Sequence, residues 1–182
     1  MNPLVSAIIP TRKRPEGLAK TMSSMLSTAT KPDRIQFVLK FDDDDPQRNT
    51  TFFQGKVVIS PRGSGYIEMP RFVREACDQA DGDWCFLIDD DSWIEGNGWD
   101  EQLAAIEPVG CCAQCEFYHL GFSRYGSNSC GPNGLFVPRS VTKELTQTTG
   151  AADVFLAGLT VNRGWPKHLL KGIAYCHDGR PR

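Results

Sequence analysis

Short apolar runs of strand length alternate along this chain with stretches whose apolar residues recur at helical spacing. Leu4 to Pro10 (LVSAIIP) is continuous and rich in β-branched residues, which predicts a buried strand. Arg14-Pro15-Glu16 opens a helix, with proline in the first turn and Leu18, Met22, Met25 and Leu26 at helical spacing. Ile35 to Phe41 and Lys56 to Ser60 predict two further strands. The first of these ends in Asp42-Asp43-Asp44-Asp45-Pro46; the second runs into a loop containing Gly63 and Gly65. Pro70 starts a helix that carries Phe72, Val73, Ala76, Cys77 and Ala80 inward, and Gly82 ends it. Trp84 to Ile88, short and preceded by Gly82-Asp83, reads as another buried strand. The carboxylates of Asp89, Asp90 and Asp91 follow it directly.

Further along, Trp99 to Ile106 reads as a helix and Gly110 to Tyr118 as a strand, while Gly121 to Gly134 has the composition of a loop. Ser140 is placed to cap a short helix to Leu145, and Asp153 lies near the start of a helix running to about Val161. Leu170 to Tyr175 is the last expected strand, with His177-Asp178 after it. The opening order of strand, helix, strand, strand, helix, strand implies an α/β fold, Rossmann-like, with a mostly parallel central sheet flanked by helices. With 182 residues and no internal repeat, the whole of 1–182 is expected to be one domain.

Composition narrows the function. A formal charge of −2 gives no overall footprint for nucleic acid or an anionic membrane surface. No apolar run approaches the length of a membrane span. Met1-Asn2-Pro3-Leu4 lacks the basic-then-apolar pattern of a signal peptide, so the expected location is cytoplasmic. The cysteines number seven, and most sit inside apolar segments, as small buried hydrophobes do. Cys111, Cys112 and Cys115 invite a zinc reading, completed by Cys130 or His119. A second paired-cysteine motif is missing, however, and free thiols are the preferred expectation.

The chemistry concentrates at Asp89-Asp90-Asp91. Adjacent carboxylates at a strand end repel one another, and aligned oxygens there suit a hard divalent ion, Mg²⁺ or Mn²⁺. Open α/β sheets bind their ligands at the carboxyl ends of strands, where these acids would lie. Alternation along an extended chain puts Asp89 and Asp91 on one side and Asp90 on the other. A solvated acidic turn is the plain alternative.

These residues, taken in order, resemble the nucleotide-sugar glycosyltransferases of the GT-A fold, especially the family 2-like group. The resemblance rests on Ala7-Ile8-Ile9-Pro10-Thr11-Arg12, the acidic end of the second strand, Ala80-Asp81-Gly82-Asp83, and Leu87-Ile88-Asp89-Asp90-Asp91. It implies a metal-dependent transferase moving a sugar from a nucleotide-sugar donor, UDP-linked by weak preference, to an acceptor hydroxyl with inversion. The nucleotide-binding half would span about 1–95 and the acceptor-side half about 96–182. Asp91 is the implied direct metal ligand. Asp89 would ligate more weakly, or through water, or contact the sugar or ribose, and Asp90 is implied as a nucleotide-sugar contact. His177, just past the last core strand, is implied to close on the same ion. Pro10, Thr11 and Arg12 would border the base, and Asp42 or Asp43 would accept from a base N–H or ribose hydroxyl. Arg14, Arg62 and Arg71 are candidates for the diphosphate, because guanidinium forks match phosphate oxygens.

The family places an acid at the start of a late helix to deprotonate the acceptor, which implies Asp153 as general base. Departures from the pattern are visible. Asp42 to Asp45 and Pro46 replace the usual Asp-Asp-Gly-Ser turn, Arg71 and Arg74 stand where an Asn is common, and Ala152 replaces a Glu before Asp153. The loop Ser127 to Gly134 is expected to border the acceptor. Trp93, Trp99 and Trp165 are as well explained by packing as by sugar stacking. His119 and His168 lack any comparable context and read as structural or surface residues. An inactive nucleotide- or glycan-binding relative is the alternative function. A sugar-nucleotide-forming nucleotidyltransferase lacks its glycine-rich loop here, and a calcium loop lacks its alternating oxygens and central glycine. A homodimer is compatible with so compact a chain.

Overall fold

The computed structural model describes residues 3–49, 55–63, 68–121, 123–126, 134–145 and 152–178, without the side chains of 123–126 and of Asp153. The described residues build a nine-stranded sheet. β1 (Val5–Pro10), β2 (Ile35–Asp42), β3 (Gly55–Ser60) and β4 (Trp84–Leu87) are parallel neighbours, in the order β3-β2-β1-β4. Beyond β4 the order continues through β8 (Leu135–Pro138), β6 (Cys112–Leu120), β9 (Lys167–His177) and β5 (Ser92–Glu95). β8 and β5 run antiparallel to their neighbours, β6 and β9 pair in parallel, and β7 (Ser123–Gly126) forms a side hairpin with β6. The sheet is therefore mostly parallel, as the alternation of elements predicts.

Alternation along each buried strand divides the core between the two faces of the sheet. Ala7, Ile9, Phe37, Leu39 and Phe86 pack with Leu18 and Met25 of α1 (Pro15–Thr28) and with Trp99 and Leu103 of α3 (Trp99–Ala104). Ile8, Val38 and Cys85 face the other way, onto Val73, Ala76 and Cys77 of α2 (Met69–Cys77) and Val141 of α4 (Arg139–Thr142), with Leu156 of α5 (Ala152–Asn162). The Phe86 and Phe136 rings stack at 4.1 Å, tying β4 to β8, an arrangement worth about 1 kcal/mol beyond area burial.

The Ala80-Asp81-Gly82-Asp83 segment has a direct structural reason. A side chain at Gly82 would stand 2.5 Å from the Ser6 backbone nitrogen, so only glycine lets the chain enter β4 alongside β1. The Gly82 N–H donates to Ser6 Oγ, and the Asp81 N–H to Gln36 Oε1. Hydrogen bonds from Lys56 and then Gln36 hold the Asp81 carboxyl below the usual carboxylate range.

Three expectations need correction. Ser140 lies inside α4 rather than at its cap, a position that Pro138 occupies. β5 and β7 are strands that the sequence pattern does not announce, β7 within the segment read as loop, because each has only four residues and no run long enough to show a period. His177 is the last residue of β9 rather than a residue beyond it, because β9 is longer than its apolar centre. No helix among the described residues is long and apolar enough to cross a membrane, a statement that does not bear on β-barrels.

Candidate active site

Asp89, Asp90 and Asp91 form the turn between β4 and β5 at the carboxyl end of β4, on the rim where the parallel strands end. The turn is closed by the Ser92 N–H donating to the Asp89 carbonyl. α1 fixes it from one side. Thr21 Oγ1 donates to the Ser92 carbonyl at 2.6 Å, and the Ile94 N–H donates to Ser24 Oγ, so α1 covers the outer edge of β5. Gly17 in the first turns of α1 lies against the acids: a Cβ there would be 2.3 Å from the Asp90 carbonyl oxygen.

The three acids have separate surroundings. Asp90 is buried and accepts from Thr11 Oγ1 at 2.9 Å, with Arg14 Nη1 at 3.4 Å. Asp91 lies between Arg14, whose Nη1 is 2.6 Å from Oδ2, and His177, whose Nε2 is 3.2 Å from Oδ1. The register Ser92↔His177 brings that histidine to the turn. One ligand atom from each of Asp89, Asp91 and His177 lies within 4.8 Å of the others. Two carboxylates with an imidazole make a donor set that fits Mn²⁺ or Mg²⁺, the nitrogen favouring Mn²⁺. Behind them, Tyr175 donates its hydroxyl to Ser92 Oγ at 2.8 Å. Burial, and then the charge of Asp89, push this phenol well above its ordinary value, so it remains a donor.

The acids after β2 form a second cluster with a mixed character. Asp42 and Asp45 are buried, whereas Asp43 and Asp44 are exposed. Asp42 accepts from the buried Lys40 Nζ at 2.7 Å and pairs with Arg12 Nε at 3.1 Å; Arg12 Nη2 also reaches Asp44. Asp43 accepts from the Arg62 N–H. Asp45 is fully buried and accepts from the backbone N–H groups of Lys13 and Gln47. Lys13 has φ of +54°, an uncommon value for a side-chain-bearing residue, and Asp45 holds it there. The loop from Thr11 to Arg14 is thereby anchored between both acidic clusters. The Thr11 N–H continues the β1–β2 ladder by donating to the Lys40 carbonyl, beyond the Pro10–Lys40 pair.

Of the residues singled out from sequence, Thr11, Arg14, Asp89, Asp90, Asp91 and His177 converge, and Arg12, Asp42 and Asp43 form the adjoining rim. Among the described residues, Arg71 is tied to Glu68, Glu75 and the Pro61 carbonyl rather than to any of these acids. Asp153 lies in the first turn of α5, and its side chain is outside the described residues. The same holds for residues 127–133 of the proposed acceptor loop and for Cys130. Trp99 is core. Cys111 and Cys115 belong to one core cluster and Cys112 to the other, so these neighbours do not converge. Sequence reasoning missed Gly17, Lys40, Asp45 and Ser92. Lys40 carried a signal, a lone cation within an apolar strand just before the acids, and Gly17 another, a glycine inside a helical pattern.

The family model of glycosyl transferase family 2 matches residues 6–157, which includes the acidic turn and Asp153. The chain belongs to glycosyl transferase family 2. No curated protein sequence matches it. Among solved structures, S. aureus TarS is 16% identical with a TM-score of 0.70, over 95% of this chain and 36% of TarS. Residues 1-349 of TarS in complex with UDP-GlcNAc give 14% identity and a TM-score of 0.69, over 98% of this chain and 59% of the other. The mannosyltransferase PcManGT from Pyrobaculum calidifontis, in complex with GDP-Man and Mn²⁺, gives 13% and 0.70, over 100% and 59%. The family 2 chain thus shares the GT-A fold of these glycosyltransferases and spans between 36% and 59% of the length of these three chains.

Proposed function

We propose that this family 2 chain is a metal-dependent glycosyltransferase that moves a sugar from a nucleotide-sugar donor to an acceptor hydroxyl with inversion. The observation that carries the reading is the convergence of Asp89, Asp91 and His177 at the carboxyl end of β4. Asp91 and His177 would hold a divalent ion directly, with Asp89 as the weaker ligand. When bound, that ion supplies Lewis-acid stabilisation of the charge developing on the diphosphate leaving group.

The chain's own residues supply the remaining parts. Thr11 and Asp90 lock the acid turn to the end of β1, so the ligands are held before the donor arrives. Pro10, Thr11 and Arg12 border the nucleoside, with Asp42 and Asp43 as acceptors for its N–H or hydroxyl groups. Arg14 is placed to exchange its contact with Asp91 for a phosphate oxygen. Arg71 is retained as a phosphate candidate only from the outer rim. Asp153 is the proposed base, taking the acceptor's proton as the hydroxyl attacks the anomeric carbon. The complexes of TarS with UDP-GlcNAc and of PcManGT with GDP-Man support a nucleotide-sugar donor, and UDP and GDP head the candidates.

The test is a thermal-shift panel of UDP, GDP, CMP, dTDP and ADP with and without Mn²⁺, followed by turnover of the matching sugar nucleotide. A ligand at about 100 times its dissociation constant stabilises the fold by about 2.7 kcal/mol, enough to shift Tm by several degrees. One nucleotide should stabilise the chain only with Mn²⁺, and Asp91→Asn should abolish that shift. Asp153→Asn should keep the shift and slow transfer by about a hundredfold or more. No shift from any nucleotide would overturn the donor assignment. Binding without turnover would favour the inactive relative.

A further inference from the structure

Register places a second set of ligating side chains on the opposite face of the strands that present His177. Trp93 of β5 and His119 of β6 both pair with Cys176 of β9, and Glu95 lies two residues beyond Trp93 on the same face. Cys176 precedes His177, so the two side chains leave the strand on opposite sides. Cys176 Sγ is 3.5 Å from His119 Nδ1, and Glu95 Oε2 is 3.8 Å from the same nitrogen. One ligand atom of each of these residues lies within 4.8 Å of the other two.

We propose that Glu95, His119 and Cys176 form a zinc-type site, separate from Asp89, Asp91 and His177, that pins β5, β9 and β6 together. Ideal tetrahedral bonds of about 2.3 Å to sulfur and 2.0–2.1 Å to nitrogen put those two ligand atoms about 3.6 Å apart. The observed 3.5 Å meets that requirement without rearrangement. A cysteine–histidine–carboxylate relay is excluded by the same geometry. In a relay the nucleophile and the acid sit on different ring nitrogens, whereas here both approach Nδ1. The carboxylate is oriented as metal-binding carboxylates are, because Trp93 Nε1–H donates to Glu95 Oε1 at 2.9 Å and leaves Oε2 towards the histidine. Glu95 is exposed, which gives an ion a way in and leaves the fourth position to water.

Ligand softness separates the two sites. Thiolate and imidazole select Zn²⁺ or Co²⁺, while the carboxylates of the acidic turn favour Mn²⁺ or Mg²⁺. On binding, the thiol proton is released to solvent and the sulfur coordinates as thiolate.

Titration of the purified chain with Co²⁺ tests the site. One equivalent should produce thiolate-to-cobalt charge-transfer absorption in the near ultraviolet, and Zn²⁺ should remove it. The band should vanish in Cys176→Ser and persist in Asp91→Asn. Glu95→Gln and His119→Gln should each weaken Co²⁺ binding by about tenfold or more. These variants carry the test if circular dichroism shows that Cys176→Ser does not fold. Absence of a charge-transfer band overturns the site, as does a band that survives Cys176→Ser. Undiminished Co²⁺ affinity in both Glu95→Gln and His119→Gln overturns it equally.

Discussion

Asp42 and Asp91 show how similar acids come to hold different places in one molecule. Asp42 shares its charge with Lys40, whose ammonium lies 2.7 Å away and 3.6 Å from the centre of the Phe72 ring. Lys40 is fully buried, and among the described residues its charge is compensated by this carboxylate and the ring, so the pair fixes the end of β2. Removing one member of a buried pair typically costs about 3–5 kcal/mol, but Arg12 remains on Asp42, so Lys40→Met is expected to cost about 2 kcal/mol. Urea denaturation measures this; an unchanged midpoint would show that the pair adds nothing over an apolar chain of similar size. Asp91, by contrast, faces a cation and an imidazole across a rim that solvent still reaches. Sequence made Asp91 legible, because its neighbours repeat the acidic spacing of a known family. The burial of Asp42 and Asp45 beside exposed Asp43 and Asp44 was not legible, since four identical residues carry no pattern.

At the scale of elements, the docking of α1 decides the position of the acid turn. Thr21 and Ser24 occupy backbone groups of β5 that would otherwise form an open sheet edge, and Gly17 lets the helix approach the Asp90 carbonyl. Opposite outcomes are therefore expected for two helical glycines. Gly158→Ala in α5 meets no neighbouring atom among the described residues and should gain about 0.5–1 kcal/mol from helix propensity. Gly17→Ala should lose about 1–3 kcal/mol net, since the added carbon meets rigid backbone rather than a flexible side-chain end. Equal stability changes in the two variants, measured by thermal denaturation, would refute the close approach. The helix itself was readable from Pro15 and its apolar stripe. Its contact with β5 was not, because β5 is too short to announce itself.

At the scale of the whole molecule, both cores bury thiols. A hydrogen bond with Cys85, and then burial, push Cys77 well above its ordinary value; burial pushes up Cys112 and Cys115. These groups bind their protons more tightly folded than unfolded, so their contribution is fully present below the unfolded thiol value and is lost as pH rises above it. With an ordinary value of 9.0, the two most strongly raised, Cys77 and Cys115, should together remove about 2–3 kcal/mol of stability between about pH 8 and pH 10. Urea titrations at both pH values check this, and a slope that is unaltered in Cys77→Ala/Cys115→Ala would refute it. The parallel half of the sheet was legible as continuous buried runs separated by helices. The other half depends on pairings between segments far apart in sequence, and no local period encodes them.

One of those pairings bears on how the chain is made. β9 inserts between β6 and β5, which have no contact ladder with each other, and it delivers His177 to the acid turn. During synthesis, β5 and β6 each wait with one unsatisfied edge until Lys167–His177 leaves the ribosomal tunnel. That interval is when chaperones, or the edges of neighbouring nascent chains, compete for the same hydrogen bonds.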